Sequence, residues 1–218
     1  MYTVKNLRKT FEGEIYHICN KSIANYQILI KPSNAKKFIY TLDFYNSINL
    51  NKRFSDALRE NKYRYKNILL PKKSSLVKFF SFIIMPDHYH ILIKALHDNV
   101  ISKYISNVEN SFSRYFNLRN KRKGPLWQSR FRIVRIETIE QLLHVTRYIH
   151  LNPTTAGLVN KPEDWQFSSY KDYINNEKIL KEIMTELTIK DPKVYKKFCE
   201  DNIDYQRKLK KIKKLMLE

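Results

Sequence analysis

Glycine is nearly missing from this chain, with 3 residues in 218. Loops that wrap phosphates with bare backbone need glycine for close approach, so the scarcity argues against a glycine-rich nucleotide loop. No P-loop or dinucleotide fingerprint is present. Cysteine is rarer still: Cys19 and Cys199 lie far apart, and neither has a metal-type CxxC spacing. A reduced, cytoplasmic protein is the economical expectation. No apolar run reaches the roughly 18 residues of a membrane span, and Lys5, Arg8 and Lys9 are not followed by the apolar stretch of a signal peptide. Acidic residues are short by half, 21 against 41 basic ones, which leaves a formal charge of +20.

A field of that sign attracts a polyanion and makes its binding salt-dependent. A general bias toward lysine and asparagine explains part of the excess but not its clustering. From Arg114 to Arg135 there are eight basic residues and no acidic one, with Tyr115, Phe116, Trp127 and Phe131 interleaved. Single-strand sites combine cationic tracks with aromatic platforms. Arg130 and Arg132 are the expected backbone-phosphate contacts, and Lys121, Arg122 and Lys123 a mobile basic loop.

With 43% apolar residues, the chain suits one domain with a proper core and a tail. The hydrophobic spacing predicts a strand over 14–20, a helix over 35–46, strands over 76–85 and 89–95, a helix over 100–118 and a strand over 130–136. Residues 49–73 read as an irregular basic stretch, longer than usual for a compact fold and so a candidate DNA-binding insertion. The β-α-β-β-α-β order is that of an α+β, ferredoxin-like sandwich, an antiparallel sheet with helices on one face.

Two places carry chemistry. In Met85-Pro86-Asp87-His88-Tyr89-His90, strand alternation puts His88 and His90 on one side, where two imidazoles can take adjacent positions of one divalent ion. Downstream, residues 137–151 have a helical apolar stripe with acidic residues in the first turn, and Asn152-Pro153 is expected to stop the helix. Residues four apart share a face, which stacks His144, Tyr148 and Asn152. A tyrosine there is a nucleophile candidate and an asparagine an amide-oxygen ligand, against the plainer reading of an amphipathic core tyrosine.

The stretches His88-Tyr89-His90, Trp127-Gln128-Ser129-Arg130-Phe131 and Tyr148-Ile149-His150-Leu151-Asn152-Pro153 resemble, in that order, the REP-associated tyrosine transposases. These belong to the HUH (His-hydrophobic-His) single-tyrosine transposases of single-stranded DNA. Tyr16-His17-Ile18 with Asn20, Ala156-Gly157-Leu158-Val159 and Trp165-Gln166-Phe167-Ser168-Ser169-Tyr170 also match, so the resemblance covers roughly residues 10 to 175. It departs mildly in placing aromatic Tyr89 between the two histidines. The resemblance implies that His88, His90 and Asn152 bind a divalent ion, Mg²⁺ or Mn²⁺. By softness, two imidazoles and an amide oxygen favour Mn²⁺. It also implies that Tyr148 attacks the scissile phosphate of single-stranded DNA, of hairpin or palindromic form, through a 5′-phosphotyrosine. The same core is implied, with the tyrosine helix added after the fourth strand, and a monomer acting in cis is favoured over a homodimer.

Two other classes compete. A non-catalytic nucleic-acid-binding module also uses a ferredoxin-like sheet, but would not require His88, His90, Tyr148 and Asn152 together. A metal-dependent hydrolase using His17, His88 and His90 would not require Tyr148. The division expected is a catalytic domain over 1–175 and a basic helical extension over 176–218. In that extension, 178–187 and 192–198 read as short helices. Tyr205, Leu209, Ile212 and Met216 form a stripe expected to pack on the core beneath a lysine-rich face.

Overall fold

The computed structural model describes residues 9–60, 62–65, 67–70, 72–175, 189 and 191–215. Its elements are β1 (Ile15–Lys21), α1 (Pro32–Tyr45), α2 (Phe54–Arg59), β2 (Val77–Ile84), β3 (His88–Ala95), α3 (Val100–Arg119), β4 (Arg132–Ile136), α4 (Ile139–Thr155) and α5 (Tyr170–Asn175), then α6 (Pro192–Glu200) and α7 (Ile203–Leu215). The four strands form one antiparallel sheet in the order β2-β3-β1-β4, so the α+β ferredoxin-like architecture is present.

β1 shows why this sequence gives a two-sided sheet. Its burial alternates strictly, with Tyr16, Ile18 and Asn20 inside and the odd-numbered residues partly open. The inside face packs on α1 and α3: the Tyr89 ring lies 5.0 Å from Phe38 of α1, and its hydroxyl donates to Glu109 of α3 at 2.8 Å. β3 is buried almost throughout, because α4 crosses its other face. Helices therefore flank both faces of the sheet, with α4 and the elements packed beside it on the side opposite α1 and α3.

Several sequence expectations change. The stretch over 49–73 contains the helix α2, anchored by the buried Phe54 and Ala57. Asn152-Pro153 does not stop α4, which runs on to Thr155. Proline deletes one backbone donor, a small loss in a final turn whose carbonyls are otherwise met. The Asn152 carbonyl accepts from the Ala156 N–H at 2.8 Å, that of Pro153 from the Leu158 N–H at 2.9 Å, and that of Thr154 from Arg207 Nε at 3.1 Å. At the other end Thr138 caps the helix, accepting from the Gln141 N–H at 3.1 Å while the Gln141 side chain accepts from the Glu137 N–H.

The tail does not turn its apolar stripe inward. Tyr205 is 58% exposed and Leu209 46%, while Ile203, Gln206 and Arg207 face the body, the last two bonding Thr155 and Thr154 of α4. Two polar contacts to α4 decide the rotation of α7, which a hydrophobic pattern does not reveal. The Ile212 side chain, Met216 and the expected helix over 178–187 lie outside the described residues. α6 is anchored on the body, with Tyr195 and Cys199 fully buried beside α4 and α5. No helix among the described residues is long and apolar enough to cross a membrane.

Candidate active site

The face of the sheet under α4 collects the chemistry. Register places Cys19 opposite both His90 and Arg132, Lys21 opposite His88, and His17 opposite Leu92 and Val134. Directly paired residues in a sheet share a face, as do residues two apart along a strand. His17, Cys19, Lys21, His88, His90 and Arg132 therefore stand together, and the His88 and His90 rings lie 5.2 Å apart at nearly a right angle.

Each of these two imidazoles has its Nδ1 engaged. His88 Nδ1 lies 2.6 Å from a carboxylate oxygen of Asp87, which also pairs with Lys21 at 3.4 Å. His90 Nδ1 lies 3.0 Å from His17 Nε2, the two rings meeting edge to edge with their planes 16° apart. When both Nδ1 atoms carry the ring proton and donate it, both Nε2 lone pairs are left to face an ion. Histidine ligands of metals commonly hold their tautomer this way.

Burial keeps the His17 and His90 rings neutral. Burial lowers His17 to about 4, and burial with the adjacent His17 and His88 rings pushes His90 well below the ordinary 6.5. A cation in their place would be desolvated with no counter-charge, so both rings are lone-pair donors at neutral pH. Burial pushes the Asp87 carboxyl up, but His88 and Lys21 outweigh it and hold the group below its ordinary value.

Tyr148 of α4 reaches this face. Its ring stands edge-on 5.5 Å from His90 and 6.5 Å from His17, and the residue keeps 42% exposure. Partial burial raises its phenol above the usual 10, with the Asn152 amide opposing. Asn152, one turn on, donates from its amide nitrogen to the Tyr148 carbonyl at 3.0 Å. Its Oδ1 has no partner among the described residues, and no contact there joins it to either histidine. His144, on the same helix face, turns outward to Glu140 and Arg147.

His17, Cys19 and Asp87 complete the site as neighbours that the His-x-His motif alone does not identify. The available signal is the His17-x-Cys19 spacing on an alternating strand, together with a carboxylate directly preceding His88. His150 is a further participant of another kind. It is fully buried, with Nδ1 2.6 Å from the Tyr195 hydroxyl and Nε2 2.7 Å from Ser169 Oγ. It ties the Tyr148 helix to α6 and to the Ser169 hydroxyl that receives the Phe82 N–H of β2.

The basic residues divide. Arg130 and Arg132 are exposed, and Arg132 sits beside Cys19 on the site face. Lys121 and Lys123 are exposed, but Arg122 is spent on its own loop, donating to Asn117, Gly124 and Pro125. Arg135 is likewise taken by Glu14 through two contacts, at 2.7 and 2.8 Å. That loop leads into residues bonded to the end of β1 where His88 pairs with Lys21: Ile23 N–H donates to the Leu126 carbonyl and Gln128 N–H to that of Lys21. The interleaved aromatics are partly buried against the core. Trp127 packs edgewise on Tyr89 and against Phe38, and Tyr115, Phe116 and Phe131 lean on the core.

Residues 58–152 match the family of IS200-like transposases. A REP-associated tyrosine transposase of Escherichia coli (strain K12) is 24% identical over 126 residues, 57% of this chain and 73% of that protein. A relative of the same designation from Haemophilus influenzae is 29% identical over 97 residues, 40% of this chain and 55% of its own length. Among solved structures, a REP-associated tyrosine transposase bound to a REP hairpin superposes with a TM-score of 0.55. It has 16% identity over 81% of this chain and 87% of its own, a likeness that speaks to the fold.

Proposed function

We propose, from its similarity to the REP-associated tyrosine transposases, that the chain is a metal-dependent transposase that cleaves and rejoins single-stranded DNA through Tyr148. The observation that carries the proposal is the meeting of Tyr148, from α4, with His90 on the sheet face where His88 and His90 both keep Nε2 free. A non-catalytic binding module has no use for that convergence. The donor set suits a divalent cation: the two imidazoles of His88 and His90 and the unpartnered Asn152 Oδ1, which α4 carries one turn past Tyr148. Their mixed nitrogen and oxygen character agrees with Mn²⁺ as well as Mg²⁺. Such an ion, when bound, supplies Lewis-acid polarisation of a non-bridging phosphate oxygen.

The chain's own residues do the rest. Tyr148 Oη attacks phosphorus in line, forming a P–O bond to the 5′ side of the break as the bond to the 3′ oxygen opens. The phenolic proton leaves, and the departing oxygen takes one up to become a 3′-hydroxyl. A phenol with a pKa of 10 is about one part in a thousand ionised at pH 7, and burial lowers that fraction here. Positive charge from Arg132, on the same sheet face, would favour the phenolate as it forms. The phosphotyrosine keeps the energy of the broken diester, so a 3′-hydroxyl can reverse the step and rejoin strands.

Lys121, Lys123, Arg130 and Arg132 track the phosphate backbone toward this site, and a DNA hairpin with a single-stranded flank is the substrate proposed. Tyr148 and the two histidines come from one chain, which agrees with a monomer working in cis. The test is incubation of a labelled hairpin with Mn²⁺ or Mg²⁺, followed by denaturing electrophoresis. Wild type gives a protein–DNA adduct carrying the fragment downstream of the cut, and Tyr148→Phe gives neither adduct nor cleavage while still binding DNA. Cleavage by Tyr148→Phe without an adduct would make water the nucleophile and leave the hydrolase reading in its place.

A further inference from the structure

The catalytic reading uses His90 through Nε2 and leaves Cys19 without a task. Cys19 projects from the same strand face as His17, two residues on, and stands directly opposite His90 in the sheet register. One donor atom from each of the three lies within 4.8 Å of the others. Tetrahedral zinc sets neighbouring donors about 3.3 to 3.6 Å apart, from bonds of about 2.0 Å to nitrogen and 2.3 Å to sulfur. The His17–His90 nitrogen pair, at 3.0 Å, needs to open by only a few tenths of an ångström, and the sulfur, within 4.8 Å of both, to close by at most about 1.3 Å.

We propose that His17, Cys19 and His90 form a second metal site, selective for a zinc-class ion, that disables the catalytic site by capturing His90. The donor set sets the selectivity. A thiolate with two imidazoles suits Zn²⁺ or Co²⁺ and is a poor host for Mg²⁺, which prefers oxygen. Three protein ligands leave a fourth position for water.

The antagonism follows from the chemistry of one ring. A neutral imidazole has one lone pair and one N–H. In the catalytic arrangement His90 Nδ1 holds the proton, donated to His17, and Nε2 offers the lone pair. A zinc ion taken at Nδ1 moves that proton to Nε2, which then has nothing to give the catalytic ion. The balance closes: the Cys19 thiol releases one proton to solvent, the His90 proton changes nitrogen, and His17 ligates through Nε2 while keeping its own proton on Nδ1. No oxidant or reductant is involved. The inference rests on the proposed role of His90, but the metal site itself can be read without DNA.

The experiment is a titration of the metal-free full chain with Co²⁺, followed by its absorption. Wild type should develop the near-ultraviolet thiolate-to-cobalt band and the visible bands of four-coordinate Co²⁺, and Zn²⁺ should bleach them. Cys19→Ala should lose the thiolate band, and Cys199→Ala, altering the buried thiol beneath α4, should keep it. In parallel, Mn²⁺-supported cleavage of the hairpin is measured against Zn²⁺. The concentration of Zn²⁺ that halves cleavage should rise at least about 10-fold in Cys19→Ala, the low end of what disturbing even an outer partner of a metal ligand costs. Absence of the thiolate band in wild type, or its survival in Cys19→Ala, overturns the site. Equal zinc sensitivity of the two proteins overturns the antagonism. Failure to cleave any DNA would sink the transposase reading and leave the cobalt result to decide the site alone.

Discussion

Glu109 gives the most quantitative prediction. It lies in the interior between α3 and the sheet, 8% exposed, accepting from Asn20 Nδ2 at 2.7 Å and from the Tyr89 hydroxyl at 2.8 Å. Burial raises its carboxyl from the ordinary 4.5 to about 7, and the two donors, which favour the anion, fall short of offsetting the loss of water. The folded chain therefore holds a proton that the unfolded chain releases near pH 4.5. The contribution is fully present below pH 4.5, drains away as pH rises toward 7, and is gone above it. One pKa unit corresponds to 1.36 kcal/mol, so the whole effect is about 3 kcal/mol, of which about 2.5 kcal/mol falls between pH 5 and 8. Glu109→Gln has no such proton, and its amide oxygen can accept from the same two donors. Any penalty from its unmatched N–H groups is independent of pH. Urea unfolding of both proteins at pH 5 and pH 8 isolates the term, because every other group cancels in the difference. The stability of Glu109→Gln relative to wild type should rise by about 2.5 kcal/mol across that range. At a slope of about 2 kcal/mol per molar urea, that is a relative midpoint shift of about 1 M. A relative stability that stays level with pH would mean that the carboxylate is ionised in the fold and that burial is not what governs it.

Three further outcomes are expected. Asp87→Asn removes the carboxylate that orients His88 Nδ1, so Mn²⁺ affinity should fall by about 10- to 100-fold with the fold intact. Calorimetric titration checks this, and unchanged affinity would remove Asp87 from the site. Charge reversal of Lys121 and Lys123 should flatten the log–log salt dependence of single-stranded DNA binding by about 0.7 for each phosphate no longer neutralised, whereas reversal of Arg122, already bound to its own loop, should act mainly through that loop. Tyr195→Phe strips a fully buried hydroxyl from His150 Nδ1 and should cost about 1 to 3 kcal/mol in thermal or urea unfolding. A neutral result there would show that α6 is not held to the Tyr148 helix through this hydrogen bond.

Much of the frame was legible because it repeats at short range. Period-two alternation at Tyr16 and Ile18, and at His88 and His90, determines which side of a strand each residue occupies, and the backbone enforces it whatever the strand's neighbours. The helical stripe of residues 137–151 likewise announces α4, though not that Thr138 caps it, and Tyr148 with Asn152 must share a helix face. The end of α4 was not legible. Local sterics at Asn152-Pro153 argue for a stop, and only the partners of the last carbonyls, Ala156, Leu158 and Arg207, make the longer helix tolerable. The tail misled for a similar reason: a hydrophobic stripe proposes one rotation of α7, and hydrogen bonds at Gln206 and Arg207 select another.

The basic segment shows the same division. Sequence counts charges but not their partners, so Arg122 and Arg135 look equivalent to Arg130 and Arg132 until Asn117 and Glu14 are seen beside them. At the site, sequence alone determined the His88 and His90 pair, the tyrosine helix and the excess of positive charge. Tertiary structure alone decided that β1 lies between β3 and β4, bringing His17 against His90 and Cys19 opposite it, and that α4 crosses that face. Side-chain alternation is a property of one strand, whereas strand order and the placing of a helix are set by non-local burial, which no local pattern encodes.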